Sequence, residues 1–264
     1  MSFEDEVVWL VGASAGIGEA LAHELAGQGA RLILSARRAE RLEKLRDDLR
    51  GRARDVQVLP FDQGDLDAAP DVARQARERA GPVDVLVLNA AIGQNGLALD
   101  TELELVERLM RVNFLGPVAL AKAVVPAMVE RGSGHVVVTS STLGKFGIHR
   151  RSAYSASKHA LHGYFDSLRS ELRDTGVDVT LVCPGFVRTE IERRALNEAG
   201  EAYGENRTEL KGMPADVFAR KMIGVMARRE LEATIGGRNE RGAVWLKRLA
   251  PGLLHRALAS EPMD

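Results

Sequence analysis

Two short stretches of this 264-residue chain carry side chains suited to moving a proton: Ser140-Ser141, and Tyr154-Ser155-Ala156-Ser157-Lys158. Tyr154 and Lys158 stand four residues apart, the spacing that places two side chains on one face of a helix. A phenol is a poor acid in water, with a pKa near ~10. An ammonium held beside it favours the phenolate and lowers that value, which turns a tyrosine into an acid/base for near-neutral pH. The serines close a β-branched run, His135-Val136-Val137-Val138-Thr139, that reads as a strand. A strand end would therefore bring a hydroxyl to a Tyr/Lys pair near the start of a helix. The same residues also fit a surface helix with an unrelated tyrosine and lysine, and the rest of the chain decides between the two.

The elements that must position them begin near the N-terminus. Val7-Val8-Trp9-Leu10-Val11 is an apolar run of strand length, suited to a parallel strand buried on both faces. Gly12-Ala13-Ser14-Ala15-Gly16-Ile17-Gly18 follows, then a helical pattern in Ile17, Ala20, Leu21, Leu25 and Ala26 that Gly27 and Gly29 stop. Arg31–Ser35 is a second strand, which completes a βαβ unit with a right-handed crossover. Glycines at this turn let the backbone approach a diphosphate and leave helix N-terminal amides to bind it; a plain tight turn is the alternative. Where a dinucleotide fold for NAD carries an Asp or Glu at the end of the second strand, this chain has Ala36, Arg37 and Arg38. A missing carboxylate and added guanidinium suit a ribose 2′-phosphate, so NADP(H) is expected over NAD(H).

The alternation continues. Residues 39–51 form an amphipathic helix, 56–61 a third strand, 82–88 a fourth that ends in Asn89-Ala90-Ala91. Asp62 either bonds an adenine amine or caps a helix over 65–80. Residues 101–131 read as one long helix with Asn113 and Pro117 in its middle, where proline favours a kink and asparagine is a poor helix former. A helix over about 152–174, a strand over 177–183, a helix over 214–229 and a short strand over 233–235 follow. The pattern predicts one α/β domain over residues 1–264: a doubly wound parallel sheet of about seven strands with helices on both faces. Residues 186–212 are charged, glycine-containing and without firm periodicity, the expected substrate lid. The tail, about 238–264, mixes bulky apolar and basic residues. It could lie on a membrane surface, close over the substrate or pack on the core or a partner subunit, with packing favoured.

Lys+Arg 36 against Asp+Glu 37 offers no basic excess for nucleic acid. The single cysteine, Cys183, excludes an intrachain disulfide; its apolar surroundings suit a buried inert thiol. The acidic N-terminus lacks the pattern of a signal peptide, and no uninterrupted apolar run reaches the ~20 residues of a membrane span, so a cytoplasmic location is expected. No His/Cys/carboxylate group shows metal-ligand spacing along the chain.

Together these segments resemble the short-chain dehydrogenase/reductase family in its single-domain Rossmann form, over about residues 5–236. Gly12-x-x-x-Gly16-Ile17-Gly18 matches its cofactor turn, Pro184-Gly185 its strand-end turn near the nicotinamide, and Asn113, Ser141, Tyr154 and Lys158 its catalytic tetrad. Ser141 precedes Tyr154 by thirteen positions, as in the family, which selects it over Ser140. The region Ser140 to Leu172 and the Leu-Ala-Pro-Gly tail also look like the branch containing 11β-hydroxysteroid dehydrogenase, which is NADP-rich and often takes lipophilic substrates. Val11 stands where the family has Thr, and Leu88 and Ala91 where it has Asn and Gly, so two groups that tie the strand ends are missing.

The resemblance implies interconversion of a carbonyl and a secondary alcohol by hydride transfer, with Tyr154 as acid/base. Ser141 would hold the substrate oxygen, Lys158 the nicotinamide ribose, and Asn113 a water that reloads Tyr154. The implied cofactor contacts are Gly12, Ser14, Ala15, Gly16, Ile17 and Gly18 at the turn; Arg37, with Ser14 or Arg38, at the 2′-phosphate; and Asp62 at adenine. Asn89 and Ala90 would lie along the ribose, and Pro184, Gly185, Val187 and Thr189 at the nicotinamide end. The family also implies a homodimer or homotetramer. A non-catalytic NADP-binding sensor or scaffold, or a membrane-associated protein held by its tail, are the other readings; an intact tetrad argues against a sensor.

Overall fold

The computed structural model describes residues 3–202 and 212–259. The first half runs β1 (Val7–Val11), α1 (Gly16–Ala26), β2 (Arg31–Ser35), α2 (Ala39–Asp48), β3 (Asp55–Val58), α3 (Ala69–Ala80) and β4 (Val85–Leu88). Then come α4 (Leu103–Met110), a π-helical turn (Arg111–Leu115), α5 (Gly116–Arg131), β5 (Gly134–Thr139), a 3₁₀ turn (Thr142–Gly144) and α6 (Ser152–Glu171). The last part is β6 (Val177–Pro184), β7 (Val187–Arg188), β8 (Met213–Pro214), α7 (Ala215–Ala227), β9 (Glu232–Ile235), α8 (Arg238–Leu249) and α9 (Pro251–Ala259).

Seven strands make one sheet in the order β3-β2-β1-β4-β5-β6-β9, and every pairing in it is parallel. β1 has β2 on one side and β4 on the other, so the chain's progress across the sheet reverses there. That reversal opens a crevice beyond the C-terminal ends of β1 and β4. All five residues of β1 are buried, as a strand covered on both faces requires. On one face Leu21, Ala22 and Leu25 of α1 pack with Phe218 and Met222 of α7. On the other, Leu120 and Val124 of α5 pack with Val72 of α3 and Phe165 of α6.

Several boundaries differ from the sequence expectation for identifiable reasons. β3 stops at Val58 rather than 61, because Pro60 has no N–H to continue the ladder, although Phe61 still donates to the Ala36 carbonyl at 3.2 Å. Within the continuous helical segment Leu103–Arg131, Pro117 follows directly on a π-helical turn. The segment's irregularity is that π turn at 111–115, with Asn113 at its centre. That segment is apolar and long enough to cross a bilayer; in the fold Leu105, Leu109, Leu120, Val124 and Met128 are buried.

A buried polar chain ties the first three strands. Trp9 Nε1 donates to Ser35 Oγ (2.8 Å), which donates to the Leu59 carbonyl (2.7 Å). The Ser35 carbonyl accepts from the amides of Gly12 and Ala13 at 2.7 and 3.1 Å, so the same residue holds the glycine turn. Ser35→Ala leaves a buried indole N–H and a buried carbonyl unpaired; a stability loss of about 1–3 kcal/mol is expected, read as a lower denaturant midpoint at unchanged m-value.

Candidate active site

A cleft of about 1820 Å³ opens at the crevice beside β1 and β4. That exceeds the ~300–1000 Å³ of a site for one small molecule and leaves room for two. The glycine turn forms its floor. A side chain on Gly18 would place Cβ 2.0 Å from the Gly12 carbonyl oxygen, and one on Gly12 would meet the Ala90 amide at 2.6 Å. Helix α1 begins at Gly16 with Ala15 as its N-cap, and no side chain caps it. Its first amides are thus free for an anion. The missing Thr and Asn do not unfasten the strand ends: Asn89 Nδ2 donates to the Gly12 carbonyl at 3.3 Å, and the Asn89 amide to the Val11 carbonyl at 3.0 Å.

At the far end of the cleft, β5 and α6 bring Ser141, Tyr154 and Lys158 together. Lys158 is buried, donates to the Thr139 carbonyl at 2.9 Å, and holds its Nζ 5.8 Å from the centre of the Tyr154 ring. Ser141 hydrogen-bonds the Tyr154 phenol, and its Oγ also accepts from the Leu143 amide at 3.1 Å. Ser140 turns away, onto His162 Nε2 (3.0 Å) and the Lys158 carbonyl (3.2 Å), which separates the two serines as the spacing argument did.

The electrostatics differ from the sequence expectation. Burial of the hydroxyl end pushes the Tyr154 phenol up to about 12, with the Ser141 hydrogen bond pulling the other way. Burial likewise brings the Lys158 ammonium down to about 8. The ammonium was expected to lower the phenol; instead it lies beside the ring and gives its hydrogen bond to a carbonyl, so desolvation prevails.

Asn113 is fully buried, not a surface polar residue. Its amide pairs with Ile92 in both directions, Oδ1 from the Ile92 amide at 2.9 Å and Nδ2 to the Ile92 carbonyl at 3.0 Å, and Nδ2 reaches Ser157 Oγ at 3.1 Å. Ser157 Oγ in turn donates to the Tyr154 carbonyl at 2.7 Å. Sequence reasoning missed Gln94. Its Oε1 accepts from the Ala153 and Tyr154 amides at 2.9 and 3.1 Å, capping α6 from a distant loop where Arg151, the local N-cap, provides no side-chain cap. Gln94 is fully buried, and nothing in its sequence neighbourhood announces the role.

Arg37, Arg38, Asp62, Ala90, Pro184, Gly185, Val187 and Thr189 all line the cleft, as do Ser14, Ala15 and Ile17. Arg38 donates to Ser14 Oγ at 2.9 Å; Arg37 is exposed, 3.9 Å from Asp62. Asp62 accepts from the Gly64 amide at 2.8 Å and does not cap α3, whose N-cap is Ala68. The expected lid, 186–212, falls partly on residues 203–211, which lie outside the described residues. Its described part docks on the loop after β4, with Leu196 bonded to Gly93 and Asn95 through the backbone. The tail forms α8 and α9, which put Leu246, Leu254, His255 and Leu258 into the cleft wall. Behind the tetrad the fold gathers His162, Cys183 and Glu232, distant in sequence, with ligand atoms within 4.8 Å of one another. Lys145 Nζ already sits 2.6 Å from Glu232, whose carboxyl is lowered to about 2 by His162 and Lys145, and burial raises the Cys183 thiol to about 12.

Residues 6–200 match the family described as short chain dehydrogenase. The chain belongs to the short-chain dehydrogenase/reductase family. It is 38% identical over 255 residues to a dehydrogenase/reductase SDR family protein 7-like of Drosophila melanogaster, across 94% of this chain and 78% of that protein. It is also 38% identical over 261 residues to dehydrogenase/reductase SDR family member 7B of Bos taurus, across 96% and 80%. Among solved structures, an alcohol dehydrogenase from Thermococcus sibiricus complexed with 5-hydroxy-NADP superposes with a TM-score of 0.77 at 26% identity, covering 89% of this chain and 97% of that one. A short-chain dehydrogenase/reductase from Burkholderia phymatum in complex with NAD shares the fold, with a TM-score of 0.86 at 24% identity over 100% and 99%.

A short-chain dehydrogenase is an oxidoreductase acting on a CH–OH group, and this chain's residues fit a nicotinamide dinucleotide. The uncapped α1 N-terminus and the backbone of Gly12 and Gly16 in the cleft lining form an anion cradle, while Gly18 is buried against the Gly12 carbonyl outside that lining. Buried Thr139 Oγ1 and Gln63 Oε1, both in residues lining the cleft, have no hydrogen-bond partner.

Burial of Lys158 has a measurable consequence in this dehydrogenase. Its folded value of about 8 lies below the ordinary 10.5, so between these values the unfolded chain binds more protons than the folded one. Stability then rises with pH across that window. Comparing the wild type with Lys158→Met by denaturant unfolding from pH 7 to 10.5, the wild type should gain about 2–3 kcal/mol on the variant; a constant difference would place the ammonium in water rather than in the core.

Proposed function

We propose that the protein is an NADP(H)-dependent oxidoreductase interconverting an apolar carbonyl compound and its secondary alcohol, with Tyr154 as the acid/base. The observation that carries this reading is the Tyr154 phenol hydrogen-bonded to Ser141 beside the buried Lys158, at the end of a cleft with room for cofactor and substrate. Gly16 to Gly18 would hold the diphosphate, Arg37 and Arg38 the 2′-phosphate, Asp62 the adenine, and Asn89 and Ala90 the ribose. The nicotinamide would supply or accept the hydride at the carbonyl carbon.

The chain's own residues do the rest. Ser141 Oγ, fixed by the Leu143 amide, presents its hydroxyl to the substrate oxygen. Tyr154 donates a proton to that oxygen as it becomes an alkoxide. A phenol raised by burial is protonated at neutral pH and so has the proton to give. Lys158 stabilises the phenolate left behind, and a water near Asn113 would return the proton through Lys158. Gln94 and Asn113 hold the first turn of α6, and so the tyrosine, in position. Phe146, Phe186, Ile191, Leu246, Leu254 and Leu258 give the cleft an apolar lining for the substrate. The apolar lining supports a lipophilic ketone or aldehyde as substrate.

The tail supports a second reading, contact with a lipid surface. Trp245, Leu249 and Leu253 are 65%, 76% and 55% exposed and recur at four-residue spacing, flanked by Lys247, Arg248 and Arg256. Full-length protein should float with anionic liposomes and a chain ending near residue 240 should not; equal behaviour would leave the stripe to protein contacts.

A screen of ketones and aldehydes for NADPH oxidation should find a substrate. With it, Tyr154→Phe should lower kcat by about 10²–10⁴ while NADPH affinity stays within about twofold. A variant that keeps most activity would remove Tyr154 from the chemistry.

A further inference from the structure

At the adenosine end of the cleft three arginines converge on one carboxylate oxygen. Glu190 Oε2 lies 2.7 Å from Arg194 Nη2, 3.1 Å from Arg41 Nη1 and 4.0 Å from Arg38 Nη1. Arg38 and Arg41 belong to the start of α2, directly after β2, where the chain ends in guanidinium instead of the carboxylate that reads a free ribose. Glu190 and Arg194 belong to the segment that leaves β7. One carboxylate does not balance three guanidinium groups. The imbalance shows at Arg38, whose guanidinium is weakened by burial and by the repulsion of Arg194 and Arg41, against the attraction of Glu190. The neighbouring Thr189 lies over the glycine turn: a Cβ on Gly16 would meet the Thr189 side chain at 3.0 Å. Residues 189 and 190 therefore lie across the cofactor turn itself.

We infer that Glu190 is a built-in stand-in for the cofactor's 2′-phosphate, and that a phosphomonoester displaces it from Arg38 and Arg41 and loosens the hold of the 190–202 segment on α2. The inference rests on the NADP(H) reading above. A phosphomonoester carries about −1.5 to −2 at pH 7, more charge than one carboxylate offers Arg38 and Arg41 beside Arg37, and its oxygens accept in the geometry guanidinium groups favour. Glu190 keeps Arg194, four residues on, as its own partner, so the displaced carboxylate is not left unpaired. A cofactor without the phosphate has nothing with which to pull Glu190 away. Glu190 therefore competes with the 2′-phosphate for Arg38 and Arg41 and leaves a ligand without that phosphate unaffected.

The test uses the adenosine halves of the two cofactors as probes, 2′,5′-ADP and 5′-AMP, on the full chain. Glu190→Gln keeps the shape of the side chain and removes its charge. By calorimetry it should bind 2′,5′-ADP about five- to tenfold more tightly than wild type, with 5′-AMP changed by no more than about twofold. In limited trypsinolysis, 2′,5′-ADP should speed cleavage after Arg193 and Arg194 in the wild type by at least about threefold and 5′-AMP should not; Glu190→Gln should be cleaved fast without ligand. A wild type that prefers 2′,5′-ADP while Glu190→Gln binds it no better would overturn the stand-in and leave the cofactor reading intact. A wild type that binds the two probes equally would remove both.

Discussion

No side chain fits where α1 leaves β1. The Gly12 carbonyl oxygen would stand 2.0 Å from any Cβ at position 18, and the Ala90 amide 2.6 Å from any Cβ at position 12. This contact of bare backbone brings the ends of β1 and β4 against the first turn of α1, and the crevice exists because of it. Ser35 holds the turn from the β2 side through its carbonyl and Asn89 from the β4 side through its amide. The sheet order places β1 at the reversal, so the groups arriving on β5 and α6 open onto the same crevice. Elsewhere the chain has latitude, as the loss of the family's Thr and first Asn shows.

The acid/base end depends on a different balance. An ammonium and a phenol are held in a dry corner where each is driven toward its neutral form, Lys158 down to about 8 and Tyr154 up to about 12. Such a corner is tolerable only if the ammonium and the phenol have fixed partners. Thr139 supplies one through its carbonyl, Ser141 another, and the π turn delivers Asn113 to the Ile92 backbone and Ser157. A regular α-helix through 111–115 would rotate Asn113 away from that alignment, which gives the irregularity its purpose.

Much of this was legible in the residues. The apolar run at 7–11, the glycine spacing and the β-branched run before Ser140 specify local geometry through their own side chains, and the sheet followed from their alternation. The thirteen-residue interval to Tyr154 singled out Ser141, and in the fold Ser141 hydrogen-bonds the phenol. What escaped was whatever acts across the chain. Gln94 caps a helix that begins at Ser152, and no local pattern marks a cap supplied from another loop. The direction of the Tyr154 shift was misread because proximity of a cation was visible in the spacing and desolvation was not. Pro117 pointed to an irregularity in the long helix, and the fold places a π turn at 111–115, just before it. The convergence of Arg38, Arg41 and Arg194 on Glu190 required the fold itself.

The wall over the substrate end has an unusual origin. The reacting groups are complete by residue 158, and the parallel sheet closes with β9 at Ile235. Leu246, Leu254 and Leu258, which line the cleft, come afterwards, on two helices that follow the completed sheet. Changes in a few terminal turns can therefore reshape this wall while the glycine turn and the Ser141–Tyr154–Lys158 cluster stay as they are. Diversification of chemistry and diversification of appetite are assigned to different ends of the polypeptide.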